Sequence, residues 1–288
     1  MIRCATMLVF ALFFAPLGLL LASDLGDVAG DSRVAHADDV GEIAVAKGTT
    51  YIATTNEQNP APLTLGKRKI AWVAHPTDPA QKIAILTIPY REKPQIFQAS
   101  KTMRVRVLEG DYRKETINVA PSHAKPNKQN QQRIERERKE AQQIYSRYTP
   151  KRYWDSPFAL PLNSAITSPY GSARIFNGEI ASYHSGTDFR ANIGTPIAAS
   201  NDGVVVIAKD RFLAGGSVVI DHGQGIFSMY YHCSELKVSV GDAVKKGDLI
   251  ALSGNSGRVS GPHLHFGFLV NGAQVDPLDF IDKINLLF

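Results

Sequence analysis

The chain has 288 residues, with 32 Lys and Arg against 27 Asp and Glu and a formal net charge of +5. Its 44% hydrophobic and 20% charged residues are those of a globular protein with a sizeable core, and the length suits about two domains at roughly 100–200 residues each. The basic residues are scattered rather than clustered in a stripe, which argues against nucleic acid and leaves only a mild bias toward an anionic polymer or surface.

Arg3 followed by the apolar run 7–22 has the charged start and apolar core of a secretory signal. Pro16 and Gly18 near its end favour cleavage, and Ala22 is a reasonable cut point, so residues 1–22 are assigned as a signal peptide. Ala35-His36-Ala37 is a better small-x-small site but lies far from the apolar run. An uncleaved anchor would want about 20 apolar residues, so membrane contact is expected only if the signal stays in place. The protein is therefore expected to be exported to the periplasm or cell envelope. Cys4 falls in the signal, which leaves Cys233 as a lone thiol beside His232; it reads as a small buried hydrophobe rather than a reactive thiol or a ligand.

Residues 39–120 hold short β-rich runs at 42–46, 69–75, 82–90, 103–108 and 116–119. Met103-Arg104-Val105-Arg106-Val107 alternates strictly, as a strand with one wet face should. Asn59-Pro60, Gly66, Pro76, Pro79 and Glu109-Gly110-Asp111 punctuate the runs. Repeated short strands with turn signals predict an immunoglobulin-like β-sandwich. With no clustered His, Asp or Cys, it is assigned no chemistry. Residues 121–150 read as a linker: a polar loop, then a helix over 131–148 rich in Gln, Glu, Arg and Lys. Ile134, Ala141, Ile144 and Tyr148 can share a thin apolar face, and Glu135, Glu137 and Glu140 among the basic residues mark a solvated helix rather than a nucleic-acid one.

From residue 151 the chain is β-rich with frequent glycine, and 203–208, 217–221 and 226–231 read as strands. The run 241–250 could be taken for a biotinyl- or lipoyl-carrier hairpin, but Lys245 and Lys246 precede Gly247 instead of standing at a tight turn between two apolar strands. No carrier role is assigned. In Ser260-Gly261-Pro262-His263-Leu264-His265-Phe266-Gly267 two histidines are two residues apart in an extended run. Residues i and i+2 of a strand point to one face, so both imidazoles would look into one site, with Leu264 and Phe266 on the other face. Upstream, Tyr183-His184-Ser185-Gly186-Thr187-Asp188 offers a histidine and a carboxylate four apart. His184, Asp188 and one of His263 and His265 make three protein ligands, the number that catalytic zinc uses with water in the fourth position. The run Phe227-Ser228-Met229-Tyr230-Tyr231-His232 ends in a further histidine that could carry protons. His222 reads as a turn residue outside this set, and His75 and His123 as surface residues.

His-x-x-x-Asp, then Tyr-x-His at a strand end, then Ser-Gly-Pro-His-Leu-His-Phe resembles the lysostaphin/LytM-type zinc endopeptidases of bacterial peptidoglycan. The likeness runs from about Phe158 to the C-terminus. It includes Gly194-Thr195-Pro196-Ile197, Val219-Ile220-Asp221-His222-Gly223, Gly254-Asn255-Ser256-Gly257 and Val275-Asp276-Pro277. With the N-terminal sandwich and helical linker read from their own residues, the chain is expected to be mainly β, and the resemblance implies over 151–288 an antiparallel β-sheet peptidase domain folded around a groove. A β-module followed by a peptidase is also similar to the order in some secreted members. The resemblance further implies one zinc per chain held by His184, Asp188 and His265, with His232 and His263 as catalytic non-ligands, one taking a proton from water and the other donating to the developing oxyanion. The implied substrate is the peptide cross-link of peptidoglycan, more specifically a D,D-endopeptidase bond, with stem peptides as partners. Two other roles compete: a non-enzymatic wall-binding activator of other murein hydrolases, whose family members typically lack some ligands, and a secreted glycyl-glycine lytic factor.

Overall fold

The computed structural model describes residues 41–116, 127–176 and 179–288; the expected signal peptide, Cys4 and His123 lie outside them. Its organising element is an eight-stranded antiparallel sheet in the C-terminal region. The path across it runs Ile166–Ser168, Thr187–Arg190, His263–Val270, Ile226–Cys233, Gly215–Gly223, Gly203–Arg211 and Ala243–Val244, and Ala273–Val275 joins the His263–Val270 strand. The three expected strands all form and extend past their predicted ends. The Val, Ile, Tyr and Phe runs of Gly215–Gly223 and Ile226–Cys233 suit a pleated surface buried on both sides, and every residue of Gly215–Gly223 is buried, whereas Gly203–Arg211 alternates buried and half-buried residues before a more exposed end.

The two faces differ. Leu264, Phe266, Phe268 and Val270 alternate onto one face and meet Tyr230, Val218, Ile220 and Phe280 in the largest apolar core. Val219, Phe227, Met229 and Leu269 occupy the other face, under Ala141, Ile144 and Tyr145 of the helix Lys128–Tyr145. That helix starts three residues earlier than expected because Asn127 caps it, its side chain accepting from the Asn130 N–H at 2.8 Å. It stops before Tyr148, which is half exposed, since Pro150 disfavours helical geometry at the preceding Thr149. A second helix, Pro277–Asn285, was not foreseen. Its signals are Asp276 at the cap, accepting from Leu278 N–H at 3.0 Å, proline in the first turn, and Phe280, Ile281 and Ile284 turned into the core.

The N-terminal block contains two three-stranded sheets and a hairpin. Gly41–Ala46 pairs parallel with Met103–Leu108, and Thr50–Thr55 pairs antiparallel with Lys82–Thr87. The Thr50–Thr55 strand was missed by pattern reading because both its faces are buried. Ala53, Ala84 and Leu86 face the block's own core. Ile52, Ile83 and Ile85, one residue out of phase, belong to the core of the C-terminal sheet. Apolar packing therefore crosses the 121–150 boundary. Hydrogen bonds join it: Thr50 N–H donates to Asp279 Oδ2 at 2.8 Å, Asn271 Nδ2–H to the Ile85 carbonyl at 2.8 Å, and Asp276 N–H to the Gly48 carbonyl at 2.8 Å.

Candidate metal centre

Strand register brings the polar residues together. Asp188 stands directly opposite His265 and Arg190 opposite His263 in the antiparallel pair, and side chains directly opposite share a face. His184 enters from the loop after the Glu179–Tyr183 strand and is held by its backbone: its N–H donates to the Ser172 carbonyl at 2.9 Å and its carbonyl accepts from Gly171 N–H at 2.8 Å. Gly186 makes the approach possible, because a Cβ there would lie 2.6 Å from His265 Nε2 and 2.4 Å from the Phe266 carbonyl oxygen.

His184 Nε2 and His265 Nδ1 each lie 2.9 Å from Asp188 Oδ1 and 3.0 Å from each other. The outer nitrogen of His184, Nδ1, faces the Pro169 carbonyl at 2.9 Å, an oxygen that can only accept. The ring proton therefore sits on Nδ1, and Nε2 turns a lone pair inward. A carboxylate oxygen and two imidazole nitrogens then converge, and a single proton could bridge only two of them. A cation at the centre satisfies all three, so the donor set fits a metal that takes two nitrogens and one oxygen. Burial weighs against a charged His184, but the Asp188 carboxylate beside it turns the net direction upward. Burial likewise pushes the Asp188 carboxyl up, and the His184 and His265 rings outweigh it, holding the group well below the usual carboxylate range. His265 is pushed down, by burial first.

His263 and His232 flank this set. His263 Nδ1–H donates to the Gly261 carbonyl at 2.8 Å, and its Nε2 lies 3.7 Å from Asp188 Oδ2. His232 Nδ1–H donates to the Ser256 carbonyl at 2.9 Å, and its ring centroid is 4.8 Å from that of His263. In both rings the backbone carbonyl fixes the tautomer, so Nε2 is the available proton acceptor. His232 arrives by an unusual route. Strand alternation puts Tyr231 on the site face, where its ring stacks on His265 at 5.4 Å and 2°, and would turn residue 232 the other way. A left-handed backbone at His232, φ 66°, swings it back. That conformation is uncommon outside glycine and is the kind of local strain found at functional sites. Burial pushes the His232 pKa down to about 4, against the opposing Ser256 carbonyl.

All five predicted site residues thus meet. Sequence reading missed the residues that aim them: Ser168 and Pro169 behind His184, the Ser256 and Gly261 carbonyls, and Tyr231. Of the Tyr-x-His pair, Tyr230 faces the core instead, its hydroxyl accepting from the Ser200 N–H at 2.8 Å. His222 lies outside the set as expected, but inside a strand and fully buried. Its Nδ1–H donates to the Asp202 carbonyl at 2.7 Å, and Nε2 is 2.7 Å from Ser228 Oγ. Cys233 is buried in the apolar core, and burial pushes its thiol up to about 12, so it is neither a ligand nor a reactive thiol. Lys245 pairs with Asp202 at 2.7 Å.

Residues 182–277, a span containing all five, match the family model described as Peptidase family M23. Over 95 residues, 33% of this chain and 22% of that protein, the chain is 47% identical to the peptidoglycan DD-endopeptidase ShyA of Vibrio cholerae. Over 113 residues, 39% of this chain and 26% of that protein, it is 35% identical to the DD-carboxypeptidase/endopeptidase Mpg of Neisseria meningitidis. The chain thus spans about a quarter of the length of these curated relatives. A crystal structure described as a peptidase M23 from Pseudomonas aeruginosa superposes with a TM-score of 0.65 at 28% identity, covering 83% of this chain and 95% of that one.

Proposed function

Residues 182–277 belong to peptidase family M23, and from that premise we propose that this chain is an exported zinc endopeptidase that hydrolyses peptide cross-links of bacterial peptidoglycan. The observation that carries the reading is the convergence of His184, Asp188 and His265, with two further histidines presenting Nε2 beside them. His184, Asp188 and His265 would hold one zinc ion per chain. Zinc bound there supplies a Lewis acid and lowers the pKa of its water from 15.7 to about 7. One of His232 and His263 accepts the proton from the attacking water at Nε2, and the other, protonated at Nε2, donates to the developing oxyanion, a contact typically worth about 2.7–4 kcal/mol. The Gly261 and Ser256 carbonyls keep both rings oriented through the cycle.

The organisation proposed with this activity is a signal at 1–22, a β-module at 39–120, a linker at 121–150 and the peptidase domain at 151–288. The bond cleaved is proposed to be the D-alanyl–diaminopimelate cross-link, the class to which the name of the Vibrio relative points. The test has two parts. Metal analysis of the purified protein should give about one zinc per chain, and a chelator should abolish activity. Incubation with cross-linked dimeric muropeptides should release monomers, and pentaglycine should remain intact. Cleavage of pentaglycine with untouched dimers would move the chain to the glycyl-glycine class, and a zinc-free, fully active protein would remove the mechanism.

A further inference from the structure

A cavity of about 530 Å³ lies beside the histidine cluster, walled by three separate parts of the chain. The sheet contributes Arg211 and Tyr231, the helix Lys128–Tyr145 contributes Arg138 and Tyr145, and the N-terminal block contributes Arg91, with Tyr183 at the rim of the metal centre. Three of its wall residues adjoin the site. Tyr231 stacks on His265, Tyr183 precedes His184, and the Ala214 carbonyl accepts from the His232 N–H at 2.8 Å.

Its charge is one-sided. Arg211 has its guanidinium 5.8 Å from the Tyr231 ring centre and faces the Tyr145 hydroxyl; among the described residues it has no carboxylate partner. Arg91 lies over the Tyr183 ring at 5.6 Å. The Arg138 guanidinium is held by Glu135 at 3.0 Å, which fixes it in place while leaving part of its donor fork open. The acidic wall residue Glu137 is already engaged, by Arg133 at 2.7 Å and by the Phe212 N–H at 2.9 Å. Arginine over tyrosine, in a wall completed by Gln142, Gln274 and apolar residues such as Ile134, Leu213 and Leu269, is a setting that suits a carboxylate.

We propose that this cavity is a subsite for a carboxylate-bearing segment of the substrate peptide, with Arg211 as its principal anion contact and Arg91 and Arg138 as supporting charges. The proposal rests on the reading of the chain as a peptidoglycan peptidase only for the identity of the peptide. The linker helix and the N-terminal block then form part of the substrate site, which gives the packing across the 121–150 boundary a function. Arg211 is a specificity-determining residue here and takes no part in bond cleavage.

The experiment is equilibrium binding, by calorimetry on the zinc-loaded full chain, of a synthetic stem-type peptide with free side-chain carboxylates and of the same peptide with those carboxylates amidated. The free acid is expected to bind roughly ten- to hundredfold tighter, the usual range for a charge-assisted contact. Arg211→Gln should bring that ratio to near 1, and Arg211→Lys should restore part of it. Metal content and melting temperature of each variant report whether the fold is intact. Equal affinity for acid and amide in the unaltered protein overturns the proposal, as does a ratio unchanged by Arg211→Gln together with Arg91→Gln. A protein that prefers the acid through Arg211 yet cleaves no muropeptide keeps the subsite and loses the endopeptidase reading. One that cleaves cross-links with no preference for the acid does the reverse.

Discussion

The two faces of the central sheet are made by the same strands and do opposite work. On one, Leu264, Phe266 and Phe268 are fully buried among apolar neighbours. On the other, His263 and His265, the alternate residues of the same strand, meet Asp188 and His184. A single strand with period 2 thus anchors the core with its even residues and presents the candidate donors with its odd ones. The difference teaches that the site is rigid because its backbone is core. His265 needs no flexible arm to reach Asp188; the hydrogen-bonded register that buries Phe266 also sets that distance.

The comparison breaks most sharply at the ligand set. Replacing His184, Asp188 or His265 by alanine should cost bound zinc and all measurable activity while leaving the melting profile of the metal-free protein near that of the parent. Metal analysis beside a muropeptide assay checks it, and a fully metallated His265→Ala would reverse the ligand choice within the pair. Next, His232→Ala and His263→Ala should keep zinc and lose about 10²–10⁴ in rate, the usual worth of proton-transfer groups. Zinc loss on either substitution would place that residue among the ligands.

On the opposite face the expected effect is on stability. Phe268→Ala should cost about 3–5 kcal/mol in denaturant unfolding while the folded fraction keeps its metal, as befits a large side chain removed from a close-packed core. Loss of metal affinity in the folded protein would show that the faces are not separable. The smallest expected effect is the pH dependence from His222. Burial pushes its pKa from 6.5 down to about 4, so between those values the unfolded chain takes up a proton that the folded chain refuses. The sign is therefore a contribution complete above pH 6.5 and lost as pH falls toward 4, about 3 kcal/mol in all. His222→Gln should flatten the fall in urea midpoint across that window. His232, pushed down in the same direction, retains part of the slope.

Much of the site was legible because local geometry sufficed. His263-Leu264-His265 needed only strand alternation, and the pairing of His184 with Asp188 only their short separation across a loop. The Val and Ile runs marked the long strands, and the linker helix was found within three residues at each end. Where pattern reading failed, a distant element had changed the rule. Thr50–Thr55 has no wet face, because the C-terminal core covers the side that alternation would leave polar, whereas its partner Lys82–Thr87 falls within the predicted run 82–90.

What the sequence determined by itself is the inventory of donors and the face of the strand on which two of them stand, since both follow from residue type and a period of 2. Only the tertiary structure decided how the donors are aimed. The carbonyls of Pro169, Gly261 and Ser256 select which nitrogen of each ring is free, and the left-handed turn at His232 brings that ring to the site against its strand parity. Those carbonyls lie 15, 2 and 24 residues from the rings they orient. The short separation at His263 still required a backbone turn that no side-chain pattern encodes. Hydrogen-bond direction depends on where the backbone has been carried, and that is fixed by the packing of the whole chain.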